Sequence, residues 1–127
     1  TRERAMKVAV TSRGSVLSSE LDPRFGRARY FVVVDTDSGE FTSHDNVNNR
    51  QASESAEIKA GQSIVNLRVD AVITGNVGPK AASALRAGNV KLYKQNWGTV
   101  RHAIERYKTG RISQFAAPHA QKNQETT

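Results

Sequence analysis

Short apolar runs closed by polar turn residues fill the first part of the chain, and apolar residues at helical spacing take over in the second. Val8, Ala9 and Val10, within Lys7–Thr11 and running into Ser12, Arg13 and Gly14, predict a short buried strand that ends in a loop. Tyr30–Val34 is a denser apolar run. The turn formers Asp35, Thr36, Asp37, Ser38 and Gly39 follow it and lead into Phe41–His44, which together predict a hairpin. Ala56, Ala60, Ile64 and Leu67 share one helical face, so Ser53–Leu67 is expected to be an amphipathic helix, weakened near Gly61. Ala71–Thr74 reads as another short buried strand. Gly75–Gly78 then turn tightly into a helix whose first residue is Pro79, where the missing N–H costs nothing, and which stops at Gly88. Val90–Lys94 is the last expected strand. Thr99 is placed to cap a final helix with Val100, Ala103, Ile104 and Tyr107 on its apolar face, ending at Gly110.

Beyond Gly110 the chain turns polar and amide-rich, with Gln114, Gln121, Asn123 and Gln124, and a loose tail over 111–127 is expected. Thr1–Ala5 precede a natural starting residue, Met6, and read as an extension or vector remnant. That leaves 6–110 as a single α/β domain. The order of three strands, then helix, strand, helix, strand, helix implies a mixed sheet with helices on its faces.

With 127 residues the chain suits one domain with a real core. No apolar stretch is long enough to cross a bilayer, and no signal-peptide pattern opens the chain, so a cytoplasmic location is expected. The absence of cysteine excludes disulfides, thiolate-bound zinc and thiolate-bound iron-sulfur clusters. A formal charge of +7 points to anionic company without naming the anion.

In a sheet of this kind ligands bind beyond the carboxyl ends of the parallel strands. Three loops answer that description: Ser12-Arg13-Gly14, Gly75-Asn76-Val77-Gly78 and Asn96-Trp97-Gly98-Thr99. The last two enter helix N-termini, whose unpaired N–H groups attract anions. Gly-rich turns also serve simply as tight connections, and no phosphate-loop fingerprint is present. Arg13, Arg24 and Arg27 offer forked donors to a bulky anion, or else a solvated basic surface. Asp22 and Arg24 suit a local ion pair equally well, and Phe25 suits the core as well as a ligand. Trp97 fits a stacking role or a cover over the core edge. His44, His102 and His119 have no spacing that makes a metal site.

Two segments, Leu21-Asp22-Pro23-Arg24-Phe25-Gly26-Arg27-Ala28-Arg29-Tyr30-Phe31 and Thr74-Gly75-Asn76-Val77-Gly78-Pro79, resemble signatures of the dinitrogenase iron-molybdenum cofactor biosynthesis family, which includes NifX, NafY and the C-terminal part of NifB. The resemblance runs from Lys7 to about Thr109. The lack of cysteine makes the chain look most like the orange proteins of sulfate-reducing bacteria, which bind a molybdenum-copper sulfide cluster noncovalently. The resemblance implies a three-layer α/β/α, ribonuclease H-like fold with a five-stranded mixed sheet. It also implies binding positions at Ser12, Arg13, Arg24, Phe25, Gly26, Arg27, Asn76, Gly78 and Pro79. Its cargo would be a molybdenum-copper sulfide cluster, with the iron-molybdenum cofactor or a precursor as the alternative. A MinD-type ATPase is the implied protein partner. Many relatives carry cysteine near the positions of Ala28 or Val77 and a glycine- or histidine-rich loop, where this chain has Asn46–Ser55 without either.

A metal-dependent hydrolase would need carboxylates converging on the strand ends, and Lys7–Ser12 has none, so no catalysis is expected. A nucleic-acid or ATPase-binding module without a cluster is the remaining alternative. The chain shows no recognition-helix motif, aromatic stripe or dense basic run to favour nucleic acid.

Overall fold

A computed structural model describes residues 6–46 and 56–115. Six strands, β1 (Lys7–Ser12), β2 (Tyr30–Asp35), β3 (Phe41–Asp45), β4 (Ala71–Thr74), β5 (Lys91–Lys94) and β6 (Ser113–Gln114), form one mixed sheet in the order β3-β2-β1-β4-β5-β6. Three helices, α1 (Ala56–Asn66), α2 (Pro79–Ala87) and α3 (Val100–Lys108), cover it. β1, β4 and β5 run parallel, whereas β2, β3 and β6 pair antiparallel with their neighbours.

The sheet has six strands where five were expected. β6 lies in the polar stretch after Gly110. It joins through backbone pairing of Tyr93 with Gln114 and Lys94 with Ser113, and the Phe115 N–H then reaches the Leu92 carbonyl at 2.8 Å. Its two residues are both exposed, so no alternation of apolar and polar side chains marks it. The expected start of the first helix, 53–55, the loop 47–55 and the rest of the expected tail, 116–127, lie outside the described residues.

β1 is central and apolar on both sides, as a strand covered on two faces must be. Ala9 joins Phe31, Val33, Val72 and Leu92 on one face, under Ala60 and Ile64 of α1 and Ala81 and Leu85 of α2. Val8 and Val10 join Val32, Val34, Ala71 and Ile73 on the other, under Val100, Ala103 and Ile104 of α3. Each valine, leucine, isoleucine or phenylalanine among them contributes roughly 1.5–3 kcal/mol relative to exposure, and each alanine less. The small residues in α1 and α2 let the two helices approach closely: a Cβ on Gly61 would sit 3.7 Å from the Ala81 carbonyl oxygen and the Ala84 methyl. α3 begins at Thr99, whose hydroxyl accepts the His102 N–H at 3.1 Å.

Candidate functional site

Buried threonines, Thr11 just before the end of β1 and Thr74 at the end of β4, bring their hydroxyls to 2.8 Å apart. Thr11 donates to the Asp22 carbonyl at 2.6 Å, and the Asp22 N–H returns a bond to the Thr11 carbonyl at 2.9 Å. The long connection after β1 therefore folds back over the strand ends and is fastened there. A two-way backbone bridge then ties it to the loop after β4: the Phe25 N–H donates to the Asn76 carbonyl at 3.1 Å, and the Asn76 N–H to the Pro23 carbonyl at 2.7 Å. Gly75 permits this approach, because a Cβ there would fall 2.6 Å from Pro23 Cβ and 2.8 Å from Asn96 Cβ. Arg24, Gly26, Arg27, Asn76, Val77, Gly78 and Pro79 are thus brought into one neighbourhood by main-chain contacts.

Asp22 is 2% exposed and carries the electrostatics of the region. Its Oδ1 accepts the Arg24 N–H at 3.0 Å and Nε at 3.1 Å, and its Oδ2 accepts Nη2 at 3.0 Å. Burial pushes the carboxyl up, but the Arg24 hydrogen bonds and charge, helped by the charge of Arg13, outweigh it and hold Asp22 below the ordinary carboxylate range. The same carboxylate holds the Arg24 guanidinium above its usual value, chiefly through their hydrogen bond. Of the alternatives open for Arg24, the geometry realises the ion pair. Phe25 is fully buried and stacks on Phe31 with ring centres 5.8 Å apart, so its side chain belongs to the core. Arg13 and Arg27 are exposed.

Ser12 is buried, and its hydroxyl turns inward to bond the Gly14 carbonyl at 2.7 Å. Farther along the same connection, Leu17 and Ser19 form a stopper over α3. Val100 N–H donates to the Ser19 carbonyl and Arg101 N–H to the Leu17 carbonyl, both at 2.9 Å, while Thr99 takes the His102 N–H. The N-terminus of α3, expected to attract an anion, has these donors already engaged.

The start of α2 differs. Gly78 precedes it, Pro79 has no N–H, and the Lys80 and Ala81 N–H groups have no partner among the described residues. The Gly78 N–H donates to Glu57 Oε1 at 2.7 Å, a residue the sequence reading did not single out. Trp97 stands apart from this neighbourhood. Its ring, 54% exposed, packs 4.8 Å from His102 and 5.4 Å from the Arg106 guanidinium, along α3 on the opposite face of the sheet. Concavities of about 440 Å³ around Tyr93 and Tyr107 and about 620 Å³ around Arg68 and Asp70 open at the other end of the sheet, and no candidate residue lines either.

Among the described residues no three histidine, aspartate or glutamate side chains come together as metal ligands, and no helix is long and apolar enough to cross a membrane. Residues 4–110 match the family model described as dinitrogenase iron-molybdenum cofactor. The apo orange protein from Desulfovibrio gigas is 36% identical and superposes with a TM-score of 0.86, covering 92% of this chain and 98% of that one. A NifB-type protein of the DUF35 family from Thermotoga is 35% identical with a TM-score of 0.73, covering 91% and 99%. The uncharacterized protein MJ0580 of Methanocaldococcus jannaschii is 28% identical over 112 residues, 87% of this chain and 92% of its own.

Proposed function

This chain belongs to the dinitrogenase iron-molybdenum cofactor family, and on that footing we propose that it binds and carries an anionic metal-sulfur cluster without covalent ligands. A molybdenum-copper sulfide is the first choice of cargo, and the iron-molybdenum cofactor or a precursor is the second. The observation that carries this reading is the backbone bridge between Arg24 and Asn76, which makes one surface of the Arg-Phe-Gly-Arg turn and the Gly-Asn-Val-Gly-Pro loop. The 36% identity to the orange protein supports it.

The chemistry suits a thiometallate. Terminal sulfides are soft, negatively charged acceptors that take N–H hydrogen bonds and tolerate apolar neighbours. The Lys80 N–H at the start of α2 supplies a donor in a region of positive helix potential. Arg13 and Arg27 add exposed charge, and Val77 and Pro79 add apolar surface beside it. With no cysteine in the chain, no thiolate bonds the metal.

The test adds tetrathiomolybdate and copper to the purified protein, desalts it, and reads visible absorbance and metal content. Retention of a coloured molybdenum-copper species is expected, weakened by salt and lost in an Arg13→Ala/Arg27→Ala variant. Retention no better than that of an unrelated basic protein ends this reading. Arg24 stays in place because its removal strikes Asp22 and so confuses binding with folding.

A further inference from the structure

We propose that Glu57 is a built-in competitor for the anionic cargo: its carboxylate holds the Gly78 N–H and must let go before the site fills. The proposal rests on the cluster-carrier reading above and adds a gate to it.

Glu57 sits in the first turn of α1 but serves the start of a different helix, α2, by accepting the Gly78 N–H at 2.7 Å. Its side chain runs between the two signature loops. A Cβ on Gly26 would fall 2.7 Å from Glu57 Cγ, and a Cβ on Gly78 would run into the carboxylate itself. Neither glycine has a positive φ. Backbone conformation therefore does not demand glycine at either position; at Gly26 the close approach of Glu57, side chain and backbone together, leaves no room for a Cβ, and at Gly78 the movable carboxylate fills the space. Both loops close on this one residue.

A carboxylate is the wrong charge to leave beside a bound anion. A cluster arriving at Arg27, Gly78 and Pro79 meets Glu57 within a few ångströms, and like charges at that range repel. Glu57 is only half-buried and its carboxylate ends a flexible chain, so it can turn to solvent once the Gly78 N–H is offered a better acceptor. The gate then acts as a filter. A monovalent anion such as chloride or acetate offers Gly78 no more charge than Glu57 already does, while a multiply charged thiometallate does.

Glu57→Gln keeps the shape and an acceptor oxygen for Gly78 but removes the charge. Glu40→Gln, in the turn after β2, makes the same change in net charge at an exposed position away from the loops. Half-retention of tetrathiomolybdate with copper is expected at about tenfold lower concentration in Glu57→Gln, the factor that follows from removing one nearby like charge, and at an unchanged concentration in Glu40→Gln. If wild type retains the cluster and Glu57→Gln does so equally or less well, the gate is overturned while the carrier reading stands. If neither retains it, the carrier reading falls and takes the gate with it. A second measurement needs no variant: in ¹H–¹⁵N spectra of the wild-type protein, the Gly78 amide resonance should move as cluster is added, and a stationary resonance during binding overturns the gate.

Discussion

Replacing Arg24 with alanine separates the two roles an arginine in this loop can have. The change removes both guanidinium bonds to Asp22 and leaves only the backbone N–H of residue 24 on Oδ1. Asp22 has a side chain 3% exposed and cannot turn to water, so it keeps its charge with fewer partners. Hydrogen bonds to a charged group contribute roughly 1.5–3 kcal/mol. The Arg24 side chain is 58% exposed, however, and exposed pairs contribute only about 0–1 kcal/mol because water competes. A loss of about 1.5 kcal/mol at neutral pH follows, between those two limits. Urea unfolding should show a midpoint lower by about 1 M. The pH dependence gives the sharper check. The folded value of Asp22 lies below its unfolded value, so its contribution is fully present above the unfolded value of about 3.9 and lost as pH falls through the lower folded one. The stability gap between wild type and Arg24→Ala should therefore be widest at neutral pH and close in acid. A gap under about 0.5 kcal/mol at neutral pH, or one that persists undiminished well below the carboxylate range, would refute the assignment of Arg24 to Asp22.

Gly75→Ala drives a methyl into Pro23 and Asn96 and should cost roughly 1–3 kcal/mol or more; a melt within error of wild type would mean that the two loops part easily. Thr99→Ala removes the cap of α3 and should cost about 1 kcal/mol in chemical denaturation. Phe115→Ala should cost roughly 1–2 kcal/mol, less than a fully buried aromatic because Phe115 is half-buried against the core. It should also speed hydrogen exchange of the Ser113 amide if β6 is held as described.

Most of the scaffold could be read from the chain because burial wrote it there. Val8–Val10, Tyr30–Val34 and Ala71–Thr74 are strands sunk in the sheet's interior, and the spacing of Val100, Ala103, Ile104 and Tyr107 marks the face of α3 that meets it. β6 left no such mark, since it is held by backbone bonds and both its side chains face solvent; Ile112 and Phe115 beside it were the available signal. The site was legible in part. The two signature segments do come together, but the pattern of residues does not say which side chains face out. Phe25 went to the core, Arg24 to Asp22 and Trp97 to the flank of α3. Glu57 escaped notice because an acidic residue in a helix's first turn is ordinary. The glycines that close on it, Gly26 and Gly78, lie far away in sequence.

The bridge between Arg24 and Asn76 is made wholly of main-chain atoms. Host and lining are therefore separable at Asn76: its exposed side chain can be exchanged without unmaking the frame that presents it. A small library at this position offers a way to retune which inorganic guest the scaffold accepts, with Gly75 and Asp22 kept as the fixed points of the design.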